Sequence, residues 1–470
     1  MKLWIWLLAG AAGLGSCKKL IQIPANAPNQ VVTAQVFADS ADAVAGVVNL
    51  YTKFGGVTST PNALVSGGVT LYTALSGDEL NYTGSGTNLQ SECYEDVIPS
   101  NDNTNSNLWF FSYGNGNGIY QTNACIEGLT ASTGISTSLK TQLIGECEVM
   151  RAFYYFNMYY IWGGVPLVTT TNYQVNESLP RADSAAIYTQ IITDLKDAQQ
   201  RLTADYPSTG KARPNLYTAA ALLAKVYLFQ QDYPDAYAQA NALIGSGIYS
   251  LVTDPNQVYL DGSTEAIWQV PTSDIITNYP TIEGYFFVPY SSTTRPAYVL
   301  SSTQLAAFET GDLRMADWVG MNTVSGVPYY YPYKYKNHVV NGNATDEDYM
   351  VFRLAEQYLI RAEAQAQGAG NGVAGAISDL NTIRSRAMLS NYAGTAEPAA
   401  VLAAIMHERQ VELFCEWGNR WLDLKRTGTI DAILSAEKPG SWPSDGHTVL
   451  FPIPVNQLQL DPFLVQNPGY

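Results

Sequence analysis

The sequence predicts a mostly α-helical protein in which helix pairs form a scaffold that carries a large, loop-rich and partly β insertion. Apolar residues recur at three- and four-residue steps over long segments on both sides of the insertion. Gly, Pro and Asn interrupt these segments in short turns, as expected where helices end. Between residues 250 and 345, short β-like runs and loops replace the helical pattern.

The chain begins with the pattern of an exported lipoprotein. Lys2 precedes an apolar run that ends near Leu14, which is too short to span a bilayer because a span needs ~20 apolar residues. The run closes in Leu-Gly-Ser-Cys, a bacterial lipobox whose cysteine is Cys17. Cleavage there would leave Cys17 as an acylated N-terminus that anchors the protein to a membrane.

These features suggest a division of the chain. We expect a signal peptide at residues 1–16, a lipidated polar tether at 17–30 and a single domain at 31–470. The variable, loop-rich part of that domain would span about 250–345.

Composition excludes some classes of function. The formal net charge is -16, so the chain would repel nucleic-acid phosphates, and we expect no nucleic-acid partner. Its three histidines lie far apart in the sequence, which argues against a metal site built from histidine and against a catalytic triad. We therefore expect no cofactor. The 32 tyrosines could stack on sugar rings or could fill a helical core.

Helical periodicity is clearest in the middle and last thirds of the chain. Consecutive helices of this size resemble tetratricopeptide-type units, which stack because one pair cannot bury its apolar face alone. Residues 52–112 are rich in Gly, Ser, Thr and Asn. Helices are predicted at residues 33–51, 138–162, 184–202, 218–231, 234–246, 349–367, 373–387 and 398–417.

The loops and the insertion contain further candidate features. β-like runs are predicted at 265–270, 285–290 and 329–335. The polar run 99–105 is predicted to be an exposed loop. Oxygen-bearing side chains at 101–107 could bind a structural calcium ion, although a solvated loop is the favoured interpretation.

Four cysteines follow Cys17. Export would allow them to oxidise, and Cys93 with Cys125 and Cys147 with Cys415 are conceivable pairs. Connectivity cannot be derived from spacing.

Six stretches follow one another along nearly the whole chain. They are the lipobox; GECEVMRAFYYF with WGGVPLV at 145–168; AALLAKVYL at 220–228 with SGIY at 246–249; RLAEQYLIRAEA with LNTIRSR at 353–386; ERQVEL with RWLDLKR at 408–426; and FPIP with QNPGY at 451–470. No single stretch is specific, but the occurrence of all six in this order is specific. Together they resemble the SusD/RagB family of Bacteroidetes outer-membrane lipoproteins.

The resemblance implies a fold and a role. The fold would be a mostly helical SusD-like domain with four tetratricopeptide-like helix pairs. The role would be to capture oligosaccharide at the cell surface and deliver it to a partner SusC-like, TonB-dependent outer-membrane transporter. Family members act as a hinged lid and do not cleave the ligand, so we expect no enzyme activity.

The motif helices carry many charged residues beside apolar stripes. Such charges are usually paired between helices, and we favour this interpretation over a set of catalytic carboxylates. Arg409 and Glu412 are three residues apart and could pair with each other. The charged residues are Arg151, Glu356, Glu363, Arg384, Glu408, Arg409, Glu412, Arg420 and Asp423.

Candidate ligand-binding residues come from two sources. The resemblance places Asp78, Asn81 and Tyr82 in an acidic loop and Trp109 in an aromatic stretch, from which glycan-binding members contact sugar. The spacing after Trp109 departs from the family pattern, and a core position for its ring is a strong alternative. From the residues themselves, alternation in 285–290 would expose some rings, so Tyr285, Tyr290 and the nearby Arg295 complete the predicted site.

Two other functions remain open on the sequence. The same fold could bind a peptide, which the sequence does not distinguish from a glycan. A surface glycan hydrolase would need a close carboxylate pair in a cleft, for which the adjacent Asp78 and Glu79 are the candidates.

Overall fold

The computed structural model of the chain describes residues 33–54, 61–114, 118–272, 281–339 and 346–470. The predicted signal peptide, the lipidation site Cys17 and the tether at 17–30 lie outside the described residues. Across the described ranges, none of the helices has the length and apolar character that crossing a membrane requires.

Helices dominate the chain before the insertion. Short turns at Asn49–Lys53 and Leu64–Gly68 and a strand, β1 (Leu80–Tyr82), interrupt them. The helices are Thr33–Val36, Ser40–Val48, Val69–Ser76, Leu89–Tyr94, Asn103–Tyr113, Ile119–Ala131, Thr137–Trp162, Tyr173–Asn176, Ser184–Arg201, Leu216–Phe229 and Tyr233–Gly245.

The insertion and the C-terminal part follow. The insertion contains a turn at Pro255–Gln257, strands β2 (Ala266–Pro271), β3 (Tyr298–Leu300), β4 (Val319–Val324) and β5 (Val327–Pro332), and helices Ile282–Phe287, Ser302–Ala307 and Leu313–Trp318. After it come β6 (Asp348–Arg353), helices Leu354–Ala366, Gly372–Arg386, Pro398–Glu412, Asn419–Arg426 and Ile430–Glu437, a turn at His447–Val449 and helix Val455–Leu460. The predicted mostly helical class is confirmed.

The predicted helix pairs are confirmed within a few residues at each end. Leu216–Phe229 packs on Tyr233–Gly245, and Leu354–Ala366 packs on Gly372–Arg386. Capping explains the boundaries. For Thr137–Trp162, the Ser136 hydroxyl accepts the Leu139 N–H, and Gly163 ends the helix at a φ of 76° that favours glycine.

The strands form three antiparallel pairs: β1 with β3, β2 with β6 and β4 with β5. The β2–β6 pair corrects the prediction that a helix begins at residue 349. The run from Tyr349 to Phe352 pairs with β2 and is buried, and the helix starts only at Leu354. Its aromatic and β-branched residues fit a buried strand, so tertiary pairing overrides the helical pattern that continues after them.

One further prediction is only partly right. The described part of 52–112 contains the helices Val69–Ser76 and Leu89–Tyr94 and most of Asn103–Tyr113. The run 99–105 is a loop only as far as Asp102, after which a helix begins. Asp102 caps the helix Asn103–Tyr113, and the fully buried Asn105 donates to the Pro452 carbonyl at 2.9 Å. Among the described residues, no group of three or more His, Cys, Asp or Glu could hold a metal ion.

One hydrophobic core joins the scaffold to the insertion. Trp268 of β2 packs against Phe54 and Phe153, whose ring centroids lie 5.2 and 5.6 Å away. Trp417 contacts the same two phenylalanines. The insertion is therefore fixed to the helices at its base.

Ion pairs link the motif helices as predicted, but the suggested pairing of Arg409 with Glu412 is wrong. Arg409 pairs with Asp423 at 2.7 Å, while Glu412 contacts three arginines from other elements, Arg314, Arg353 and Arg386. The other predicted charges pair as Arg151–Asp194, Lys225–Glu356, Arg426–Glu363, Arg384–Glu408, Arg314–Glu408 and Arg420–Asp78.

The four cysteines after the lipobox are free and buried. Neither conceivable disulfide, Cys93–Cys125 or Cys147–Cys415, is formed. Burial raises the pKa of the Cys93, Cys147 and Cys415 thiols well above their usual value.

Candidate functional site

Six aromatic side chains form a continuous chain of ring contacts across β1, β3 and the segments 282–290 and 336–339. We call this group the aromatic patch. Its members, in order of contact, are Tyr82, Tyr298, Phe286, Tyr285, His338 and Tyr290, with successive ring centroids 5.7, 6.4, 5.5, 5.2 and 5.8 Å apart.

Strand pairing places the first two rings together. In the β1–β3 register, Tyr82 lies opposite Tyr298, and their rings stack at an interplanar angle of 29°. Asn81 lies opposite Val299 in the same pair and is half-buried. Cross-strand aromatic pairs of this kind stabilise short strands that would be marginal alone.

The next rings lie on a helix rather than on the predicted β-run at 285–290. Thr281 caps the helix Ile282–Phe287, and its hydroxyl accepts the Gly284 N–H at 2.9 Å. The Tyr285 and Phe286 rings meet edge to face, and the Tyr285 ring stacks on His338 at an interplanar angle of 22°. The chain leaves the helix at Val288 and presents Tyr290 to solvent.

Hydrogen bonds from two strands hold the loop that follows Tyr290. The Asn322 side-chain amide donates to the Ser291 and Thr294 carbonyls, each at 2.8 Å. On the other side, the Thr83 N–H donates to the Ala297 carbonyl at 2.8 Å. The loop is therefore positioned before any ligand arrives, which lowers the ordering cost of binding.

The patch is buried at its centre and exposed at one end. Tyr298 is buried, Tyr82, Tyr285, Phe286 and His338 are half-buried, and Tyr290 is 79% exposed. A cavity of about 400 Å³ lies beside Tyr290, between segments 288–290 and 336–339. Lys336 and Asn337 add polar groups to its wall.

A buried acid supports the patch from below. Glu283, in the same helix as Tyr285, is 5% exposed and accepts a hydrogen bond from the Tyr349 hydroxyl at 3.2 Å. Burial raises its pKa to about 8. Glu283 is therefore mostly protonated and neutral at pH 7, so the support beneath the rings carries little charge.

The structure brings together three of the predicted ligand-binding residues, Tyr82, Tyr285 and Tyr290, in the patch. Asn81 precedes Tyr82 on β1, and because successive strand residues face opposite sides, its side chain lies on the other face from the Tyr82 and Tyr298 rings. Arg295 is exposed, and its guanidinium lies 5.3 Å from the centre of the Tyr329 ring, which is not part of the patch. Sequence reasoning missed Tyr298 and His338, although the alternation in Tyr-Val-Leu at 298–300 could have indicated the first.

Asp78 does not face a ligand surface. It is 4% exposed, and Arg420 donates to both of its carboxylate oxygens at 2.9 and 3.2 Å. Glu79 is 1% exposed, accepts the Cys415 N–H at 2.8 Å and has its pKa raised to about 7 by burial. Both carboxyl groups on which the hydrolase hypothesis depends are thus buried in protein contacts.

Trp109 also lies apart from the aromatic patch. It is 3% exposed and packs against Trp162 and Tyr113, with ring centroids 5.1 and 5.2 Å away. Its ring therefore takes the core position that the sequence left open.

Two family models match the chain. One, described as the SusD family, matches residues 290–470, and the other, described as starch-binding associating with outer membrane, matches residues 70–228. The chain is thus similar to SusD-type proteins in two separate stretches. SusD-like protein P25 of Formosa agariphila is 25% identical over 415 residues, which cover 75% of this chain and 78% of P25.

Solved SusD structures share the fold. A laminarin binding SusD-like protein has a TM-score of 0.75 at 23% identity, covering 92% of this chain and 100% of its own. Surface glycan-binding protein A from Bacteroides thetaiotaomicron has a TM-score of 0.75 at 20% identity, with the same coverage. The predicted recognition as a SusD/RagB-type chain is confirmed.

Proposed function

We propose that the chain captures oligosaccharide at the aromatic patch and delivers it to a partner SusC-like, TonB-dependent transporter in the outer membrane. The observation that carries the proposal is the unbroken chain of ring contacts that ends in the 79% exposed Tyr290. The expected place of action is the outer face of that membrane, with anchoring through lipid on Cys17.

The chemistry of the patch suits a sugar. A flat ring can cover the C–H face of a pyranose, while amides and hydroxyls bond to the sugar's hydroxyl groups in both directions. Asn337 lines the cavity beside Tyr290 and supplies an amide. The buried carboxyl groups of Asp78 and Glu79 offer no pair for hydrolysis, so we propose binding without cleavage.

The comparisons support the ligand class. One similar structure is named for laminarin binding and another for surface glycan binding, and one family model is described as starch-binding. A protein that must release its ligand to a transporter needs only modest affinity, so we expect micromolar to millimolar dissociation constants rather than nanomolar ones.

Calorimetric titration tests the ligand and the patch together. We would titrate the mature protein (Lys18 onward) with laminarihexaose, maltohexaose, other plant, host and microbial oligosaccharides and a peptide mixture. Tyr290→Ala should weaken binding of the preferred glycan by roughly 5–30-fold, the usual effect of truncating an aromatic contact. The matched control is Tyr173→Ala, because Tyr173 is similarly exposed, at 71%, but lies outside the patch. Heat from the peptides alone would contradict the glycan proposal.

Anchoring and delivery need cells. Cys17→Ser should release the protein from the membrane fraction, and surface proteolysis of intact cells should remove the wild-type protein. Co-purification from detergent extracts should recover a TonB-dependent transporter with the lipidated protein. If the protein binds glycan but no transporter co-purifies with it, the proposed capture of glycan is retained and the proposed delivery to a transporter is rejected.

A further inference from the structure

Two consecutive helices, Ile119–Ala131 and Thr137–Trp162, form a hairpin that carries one cysteine on each side. The short connection 132–136 joins them, and they pack against each other. The Arg151 guanidinium donates to the Asn123 side-chain oxygen at 2.9 Å across the interface, which fixes the register of the pair. Because the helices run in opposite directions, this register brings Cys125 of the first helix close to the level of Cys147 of the second.

The two thiols are in contact inside the core. The Cys125 thiol donates to the Gly46 carbonyl at 3.8 Å and is hydrogen-bonded to the Cys147 thiol. Both side chains are buried, at 1% and 0% exposure. The fold thus selects a pair of cysteines that their spacing in the sequence did not indicate.

The other two cysteines have partners of a different kind. The Cys93 thiol is hydrogen-bonded to the Ser76 hydroxyl, and Cys415 lies beside the Glu79 carboxyl, which accepts its backbone N–H at 2.8 Å. Cys93 and Cys415 therefore serve as internal references for any reaction of the first pair.

We propose that Cys125 and Cys147 form a disulfide bond in the exported protein. The inference rests on the export that the lipobox predicts and not on glycan binding. Outside the cytoplasm, thiol pairs meet the oxidising conditions in which structural disulfides form. Each thiol loses a proton and an electron as the S–S bond forms. The two protons and two electrons reduce the disulfide of an exported thiol oxidoreductase to its dithiol.

Burial determines when the bond forms. In the folded chain both thiols are buried, and burial holds the Cys147 thiol in its protonated, unreactive form. Oxidation must therefore take place while the core is still open. The hairpin favours this order, because its helices are neighbours in sequence and the loop that brings the sulfurs together is short. Once the core has closed, the same burial protects the bond from reductants.

Peptide mapping of the protein as cells produce it tests the pairing. Cells are quenched in acid, and the protein is then denatured in N-ethylmaleimide, which blocks every free thiol. Trypsin and chymotrypsin cut at Lys140 and Tyr120, which separates Cys125 from Cys147 and from Cys93. We expect a linked peptide pair, about 2 Da lighter than the two reduced peptides together, that reductant separates. Cys93 and Cys415 should carry maleimide.

Thermal unfolding of the mature protein, purified after export, gives a second measurement. Reductant added before heating should lower the midpoint of the wild type by about 2–6 °C, because the unfolded chain loses its cross-link. Cys125→Ser and Cys147→Ser should not respond to reductant. The matched control is Cys93→Ser, since Cys93 is also fully buried but contacts a hydroxyl, and this variant should keep the response.

Two results would overturn the disulfide. One is maleimide on all four cysteines of the cellular protein, and the other is a linkage that joins Cys93 or Cys415 instead. Neither result bears on the proposed function, because the calorimetric titration measures glycan binding at the aromatic patch, to which no cysteine belongs. Loss of glycan binding with the linked peptides present would reject the function and keep the disulfide.

Discussion

The helical scaffold and the region beneath the aromatic patch each bury a glutamate, but the two side chains differ in charge. Burial would raise the pKa of Glu412, yet the guanidinium groups of Arg386, Arg353 and Arg314 hold it well below the usual value. Beneath the patch, burial raises the pKa of Glu283 to about 8, and its hydrogen-bond partner Tyr349 is uncharged. Glu412 is therefore ionised and Glu283 is mostly protonated at neutral pH.

The difference shows how the two regions are held. In the scaffold, charged side chains from separate elements neutralise one another. Each buried charge therefore depends on its partners, and these contacts fix the helices together. Beneath the patch, hydrogen bonds and ring packing hold a neutral surface. The proposed binding region thus depends less on any one charge, whereas the scaffold should be sensitive to the loss of one.

The largest expected effect comes from Glu412→Gln. The substitution keeps the shape of the side chain but leaves Arg314, Arg353 and Arg386 without a shared anion. Breaking a buried ion network in this way should lower the free energy of unfolding by about 3–5 kcal/mol, measured by urea denaturation.

The same substitution at Glu309 is the control. Glu309 also pairs with an arginine, Arg384, but its side chain is 41% exposed. Exposed pairs contribute about 0–1 kcal/mol, so Glu309→Gln should change little. Equal effects of the two variants would show that burial does not distinguish the scaffold network from a surface pair.

The second prediction concerns pH and the Glu283 carboxyl. The pKa of Glu283 is higher in the folded state than in the unfolded state, where it is near 4.5. Glu283 therefore contributes its full stabilisation below pH 4.5, and this contribution to the free energy of unfolding is lost as the pH rises through about 8. Between pH 5 and pH 8 the free energy of unfolding should therefore fall less in Glu283→Gln than in wild type, by about 3–4 kcal/mol.

Other buried carboxyl groups titrate in this range. The measurement therefore compares how steeply the free energy of unfolding falls with pH in wild type and in Glu283→Gln. Burial raises the pKa of Glu148 to about 8 and that of Glu347 to about 7. Both remain in the variant and cancel in the difference. Identical pH slopes for wild type and Glu283→Gln would mean that Glu283 is already ionised in the folded protein at pH 5.

The smallest expected effect is on the loop that follows Tyr290. Asn322→Ala removes the two hydrogen bonds to the Ser291 and Thr294 carbonyls. Stability should fall by about 1 kcal/mol, and glycan affinity should weaken by a few fold because the loop must be ordered on binding. Asn241→Ala is the control, since Asn241 is exposed on the helix Tyr233–Gly245 and contacts Arg361. If Asn322→Ala leaves the glycan affinity unchanged, the order of this loop does not contribute to glycan binding.

The sequence predicted the scaffold better than the site. Helices such as Thr137–Trp162 could be located because apolar periodicity and capping residues are local signals. Ion pairing of residues such as Arg420 could be inferred from their position beside apolar stripes, but not its partner, because Asp78 is 342 residues away in sequence.

The aromatic patch depends on contacts that sequence does not show. Tyr82 and Tyr298 meet only because β1 and β3 pair, and those strands are three residues long and carry almost no local signal. Tyr285 and Tyr290 were correctly selected as exposed or half-buried rings, although the β-run proposed for them is a helix and a loop. Trp109 and Asp78 were selected from the resemblance, and tertiary packing buries both.

The burial of Cys93, Cys125, Cys147 and Cys415 has a practical consequence for spectroscopy. A thiol must be accessible to react with maleimide, and burial keeps these four thiols away from the reagent. In the mature form without Cys17, a cysteine placed at an exposed position such as Tyr173 would therefore carry a dye or spin label selectively. Pairing that label with one on a transporter would allow distance measurements on the assembled complex with the native cysteines left in place.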